Sequence, residues 1–164
     1  MTSYDVIIDM FFRRVEQDRK FFLYVGLSDD ESMSLARERA IGYFEEAVGL
    51  LVLYGRPQAV DFSDRDDGAQ AFNFDLTQTE KLLLSALMYQ QYLQRDIAYL
   101  KTLSVNYTAT DLRVFDPSNA RSTFMAMYNT VVGECNSLLD MYRNTNRDDG
   151  SYLSINFGAY DSEA

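Results

Sequence analysis

A chain of 164 residues with 47 % hydrophobic content is most simply one domain, and it is too apolar to be disordered. It has no histidine, no tryptophan and one cysteine, so imidazole catalysis, Ser-His-Asp triads, most nitrogen- and sulfur-ligated metal sites and an internal disulfide are closed to it. Its 25 acidic and 15 basic residues leave a formal charge of −10, a field that repels nucleic acid.

The spacing of Ile7, Phe11, Val15 and Phe22 predicts a first helix over about 4–22, with Arg14 and Asp18 able to pair one turn apart. Gly26 breaks the chain. Ser28-Asp29-Asp30-Glu31 is a capping box that opens a second helix. That helix carries Met33, Ala36, Ala40, Phe44, Ala47, Val48, Leu51 and Tyr54 on one face until Gly55 and Pro57 stop it. Residues 56–76 read as a long acidic loop, with Asp61, Asp64, Asp66, Asp67 and Asp75 against Arg56 and Arg65. Phe72-Asn73-Phe74 is expected to dock its end onto the helices.

Thr77-Gln78-Thr79-Glu80 is a second capping box. The helix it opens has one apolar face of Leu82, Ala86, Tyr89, Leu93, Ile97 and Leu100. Leu84, Met88, Tyr92 and Tyr99 form another, roughly opposite. A helix apolar on two sides is either central in its bundle or shared with a neighbouring molecule. Ser104 to Phe115 is rich in Thr, Val and Tyr and reads as extended. Asp116-Pro117 then resembles an N-cap with proline at the first helical position. A fourth helix bears Phe124, Tyr128, Val131, Cys135, Leu138 and Tyr142 on one stripe and is expected to end near Arg143. Beyond it, Leu153, Ile155 and Phe157 alternate with Tyr152, Ser154 and Asn156, which is strand periodicity. A lone strand leaves its N–H and C=O groups unpaired, so this one needs a partner in the 104–115 segment or in another subunit. The expected architecture is all-α: a bundle of about four helices over 1–143, with the long acidic loop, and an extended, strand-patterned arm over 144–164.

Tests for chemistry fail. Counting back from Gly68 and Gly150 puts arginine at the third position of each would-be calcium loop, so both aspartate clusters read as turns. A ferritin-like di-iron site needs Glu-x-x-His pairs. No glycine-rich phosphate cradle occurs, and no acidic pair is signalled in an apolar cleft of the kind glycoside hydrolysis uses. Cys135 sits on an apolar stripe, as a buried inert thiol would. No cofactor, metal or catalytic residue is expected, and the composition points away from enzymes. Tyrosine, at 12 residues, favours protein interfaces. The longest apolar run, Val48 to Tyr54, is far short of the roughly 20 residues of a membrane span. Asp5 and Asp9 stand where a signal peptide needs positive charge, and a single cysteine suits a reducing cytoplasm.

Several stretches together resemble small all-helical proteins of the head-morphogenesis clusters of long-tailed bacteriophages and prophages. They are Phe11-Phe12-Arg13-Arg14-Val15-Glu16-Gln17-Asp18, Phe72-Asn73-Phe74-Asp75-Leu76-Thr77, Arg95-Asp96-Ile97-Ala98 and Val105-Asn106-Tyr107-Thr108. Asp111-Leu112-Arg113-Val114-Phe115-Asp116-Pro117 and Thr123-Phe124-Met125-Ala126-Met127-Tyr128 continue the likeness. Those proteins are head–tail adaptors, or connectors. The resemblance implies a homo-oligomeric ring beneath the portal protein, joined to a tail-side neck protein, through which DNA passes without specific binding. It implies a virion neck component assembled in the host cytoplasm, away from membranes. On that reading Asp61, Asp64, Asp66 and Asp67 line the channel, while Leu84, Met88, Tyr92, Tyr99, Tyr152, Leu153, Ile155 and Phe157 form subunit or portal contacts. The competing expectations are another phage neck or tail-completion protein, and an acidic soluble module that mimics DNA.

Overall fold

The computed structural model describes residues 1–16, 19–55, 60–106 and 117–153, with the backbone alone at 19–20, 99–106 and 117–121. Helix α1 (Tyr4–Val15) begins where the Ser3 hydroxyl accepts the Asp5 N–H, and it buries Ile7, Ile8, Phe11 and Val15. It does not run on to Phe22 as the spacing predicts. A continuous helix would separate residues 11 and 21 by about 15 Å. The Phe11 and Phe21 rings lie 5.5 Å apart instead, so the chain doubles back and α2 (Arg19–Phe22) packs against α1. Arg14 pairs with Glu134 at 3.0 Å; Asp18 lies outside the described residues.

Helix α3 (Asp29–Leu50) opens with the predicted capping box, Ser28 and Glu31 each accepting the other's backbone N–H. Those bonds and the Ser28 hydroxyl hold the Glu31 carboxyl below its ordinary value. A folded-state pKa below the unfolded one means stability present above about pH 4.3 and lost as pH falls through the folded value. Amide protection in the first turn of α3 is therefore expected to fall on acidification from pH 5 to 3. In Glu31→Gln that acid-dependent loss should be absent, and an unchanged acid profile would refute the assignment.

Ala36, Ala40, Phe44, Ala47, Val48 and Leu51 are buried as the spacing predicts, whereas Met33 and Tyr54 stay exposed. The last turn, Leu51–Gly55, widens to π-helical geometry. Helix α4 (Gln78–Asn106) starts at the second capping box and touches α1, α3 and α5 (Pro117–Asn144). The central alternative for a helix apolar on two sides is the one observed. Because α4 reaches Asn106, Ser104 to Asn106 is helical rather than extended; 107–116 lies outside the described residues.

The largest departure is in the long loop. Residues 65–72 form a hairpin, β2 (Arg65–Asp66) against β3 (Ala71–Phe72), and β3 also pairs antiparallel with β1 (Thr2–Ser3), giving sheet order β1-β3-β2. Asp67-Gly68-Ala69-Gln70 makes the turn, in which Asp66 accepts the Ala69 N–H at 2.9 Å and Gln70 takes a left-handed φ of 49°. Thr2 Oγ1 accepts the Leu76 N–H at 2.9 Å, tying β1 to the start of α4. Helices α1 and α4 thus both start beside the sheet.

The core is aromatic. Phe11, Phe21, Tyr43 and Tyr92 form one cluster of edge-to-face and tilted rings, with Arg39 4.8 Å over Phe21 and Arg95 4.6 Å over Tyr43. Tyr4, Phe44, Phe62, Phe72 and Phe74 form a second beneath the sheet, so Phe72-Asn73-Phe74 docks the loop as expected. Helix α5 closes the bundle with Val131, Cys135 and Leu139 buried and Phe124, Tyr128, Leu138 and Tyr142 half-buried, ending one residue past Arg143. No helix of the described residues is long and apolar enough to cross a membrane.

Candidate functional site

The sheet end gathers most of the side chains singled out from the sequence. Asp61, Asp64, Asp66 and Asp67 are all exposed there. Each also fastens the hairpin. Asp61 accepts the Ser63 N–H at 2.8 Å and its hydroxyl at 2.6 Å, which hold its carboxyl below the ordinary value. Asp64 accepts the Asn73 amide at 2.7 Å, and Asp67 accepts the Tyr4 hydroxyl at 3.0 Å and faces Arg65 at 3.3 Å. Burial and the Asp67 carboxylate push the Tyr4 hydroxyl up to about 12. The result is an acidic ridge whose one cation, among the described residues of the hairpin, is already paired.

Behind the ridge lies a charge cluster that sequence reasoning missed. Glu80, the closing residue of the α4 capping box, is 0 % exposed. Its carboxylate accepts the Thr77 N–H at 2.7 Å, the Tyr142 hydroxyl at 3.1 Å, and Arg147 through Nε at 2.9 Å and Nη2 at 3.2 Å. Arg147 also donates to the Asp75 carbonyl at 2.5 Å and lies 5.7 Å over Phe74. The hydrogen bond to Glu80 raises the Arg147 guanidinium above its ordinary value; burial, then Glu80, raises the Tyr142 phenol. The signal available was composition: Arg147 is the only basic residue in 144–164. Every acceptor position of this carboxylate is aimed at a donor, so the cluster fastens the arm to the bundle and offers no open chemistry.

Gly55 belongs to the same joint. A Cβ there would stand 2.7 Å from Leu51 Cδ1 and 3.3 Å from the Tyr142 ring. Leu51 is fully buried, so neither neighbour yields freely. Gly55→Ala is expected to cost about 1–3 kcal/mol by overpacking. A urea midpoint equal to that of the parent would show that the joint is slack.

The expected contact residues divide. Leu84 and Met88 are 0 % exposed and Tyr92 is buried within the chain's own core, so they cannot be subunit or portal contacts in this fold. Tyr92 meets Phe11 of α1 and Tyr43 of α3, and two-sided patterning alone does not distinguish such a core face from an oligomer face. The side chain of Tyr99, and Ile155 and Phe157 altogether, lie outside the described residues. Tyr152 and Leu153 are exposed. At the start of the arm Tyr152 bridges Thr145 across the turn at Gly150, Leu153 donating to the Asn144 carbonyl at 2.7 Å, while 154–157 and the expected 107–115 partner lie outside the described residues. Residues 144–153 therefore fold back on the end of α5.

Cys135 is buried, and burial pushes its thiol up to about 11, as suits an inert core residue. Among the described residues no three His, Cys, Asp or Glu side chains converge on a point that could hold a metal ion. The chain matches no protein-family model, and no curated protein and no solved structure is significantly similar to it.

Proposed function

We propose that this chain is a structural protein of the phage neck, a head–tail adaptor that forms a ring beneath the portal protein and carries the DNA channel toward a tail-side partner. The observation that supports it is the exposed acidic ridge of Asp61, Asp64, Asp66 and Asp67 on the end of a helical bundle. In a ring, such ridges present like charge to phosphate, and DNA slides past without binding. The motif resemblance supports the same reading, since its stretches in α1, β3 and the start of α4, mid-α4 and α5 belong to the one packed body.

The first test is cosedimentation of the purified chain with a phage portal ring, imaged by electron microscopy. A stoichiometric ring on one end of the portal is expected; a chain that stays free and monomeric would remove the proposal. The channel role has its own test. Because Asp64 and Asp66 also accept hydrogen bonds from the hairpin, Asp64→Asn with Asp66→Asn removes charge while keeping an acceptor oxygen. Slower DNA ejection from particles carrying both changes is expected, and unaltered ejection would place the ridge outside the channel.

A further inference from the structure

One groove beside the acidic ridge has an apolar floor that the ridge itself does not account for. It runs between the hairpin and the last turns of α3, holds about 580 Å³, and is floored by Val48, Val52, Leu53 and Phe62. Its exposed apolar lip follows from backbone geometry. The π-helical turn directs Leu51 and Gly55 into the core and leaves Val52 46 % and Leu53 63 % exposed beside each other. Single π turns inside α-helices recur at functional sites. Adjacent exposed aliphatics over a concave floor are the form an interaction surface takes.

Charge decides the occupant. Glu45 and Asp67 stand at the groove, and Asp61, Asp64 and Asp66 continue the acidic rim along the hairpin. The Arg65 guanidinium that also lines it is paired with Asp67 at 3.3 Å. Residues 153–164 make a poor fit, since they carry Asp161 and Glu163 and no Lys or Arg. We propose that this groove docks an apolar segment of another protein that bears Lys or Arg beside its hydrophobic anchors. The aliphatic floor takes the anchors, and the acidic rim steers and registers the cations.

The inference stands independently of the adaptor reading. Its test is selection of a displayed library of random short peptides on the intact chain, followed by titration of the enriched peptides against Leu53→Asp. Leu53 is largely exposed, so this change is expected to leave the fold intact; Glu45→Lys, which alters rim charge alone, is the second variant. Expected are sequences combining Leu, Ile or Phe with Lys or Arg, bound about tenfold more weakly by Leu53→Asp and several-fold more weakly by Glu45→Lys or at raised salt. Acidic or uncharged winners, peptides indifferent to both variants, or no enrichment would overturn it. So would a synthetic 153–164 peptide that outcompetes the selected ones, or self-association of the chain that Leu53→Asp abolishes, because either assigns the groove to the chain itself. A Leu53→Asp chain that still rings the portal leaves the adaptor reading intact, whatever the peptides show.

Discussion

Arg147→Met is expected to destabilise the fold by about 2–4 kcal/mol, among the largest effects of any single surface-accessible change. The reason is what it leaves behind. Glu80 is wholly buried while Arg147 is 20 % exposed, so the truncation strands a carboxylate that water reaches poorly. The remaining donors, Thr77 N–H and the Tyr142 hydroxyl, do not neutralise it. The loss is placed somewhat below the range for fully buried pairs because the guanidinium edge is open to solvent. Glu80→Gln in the same chain should restore more than about 1 kcal/mol, since a neutral amide accepts the Thr77 N–H through its oxygen and donates its own N–H to the Tyr142 hydroxyl oxygen, whose proton is free to rotate away. Urea unfolding of the two single variants and the double variant measures the coupling. Strict additivity would mean the pair contributes nothing beyond its separate contacts. Proteolysis offers a second readout, because with Arg147 gone the 145–153 turn should be cleaved at lower protease concentration than the helices.

Phe72→Ala is expected to cost about 3–5 kcal/mol. Phe72 is fully buried, and its ring meets Tyr4 at 5.4 Å, Phe44 at 5.8 Å, Phe62 at 5.7 Å and Phe74 at 5.3 Å. Those partners come from α1, α3 and both sides of the hairpin, so the cavity cannot close by moving one element. The half-buried Phe74 supplies the comparison: Phe74→Ala should cost clearly less. Urea denaturation followed by circular dichroism tests the pair. A loss below about 1 kcal/mol for Phe72→Ala would show that the hairpin unfolds separately from the bundle. Hydrogen exchange then locates the effect, with early loss expected at β1, β2 and β3 together because β3 pairs with both neighbours.

Local physical chemistry carried much of the fold. Both capping boxes, the α5 stripe, its start at Pro117 and the docking of Phe72 and Phe74 depend on interactions within a few residues or on periodicity, and these are legible from the chain alone. The misses share one cause. The break after Val15 arises from Phe21 returning to Phe11, the three-stranded sheet from β3 meeting β1 some 70 residues earlier, and the Glu80–Arg147 bond from residues 67 apart. None leaves a local trace strong enough to outweigh the pattern around it.

What the sequence determined by itself is the helical class, the capped helix starts, the acidic charge and the closing of imidazole chemistry, because composition and period are properties of the chain before it folds. Tertiary structure decided that both apolar faces of α4 are core, burying Leu84, Met88 and Tyr92 on one and Ala86 and Leu93 on the other. It also turned the acidic loop into a ridge and left Val52 and Leu53 outside. Those outcomes depend on which surfaces compete for the same buried space, and only the assembled helices settle that competition.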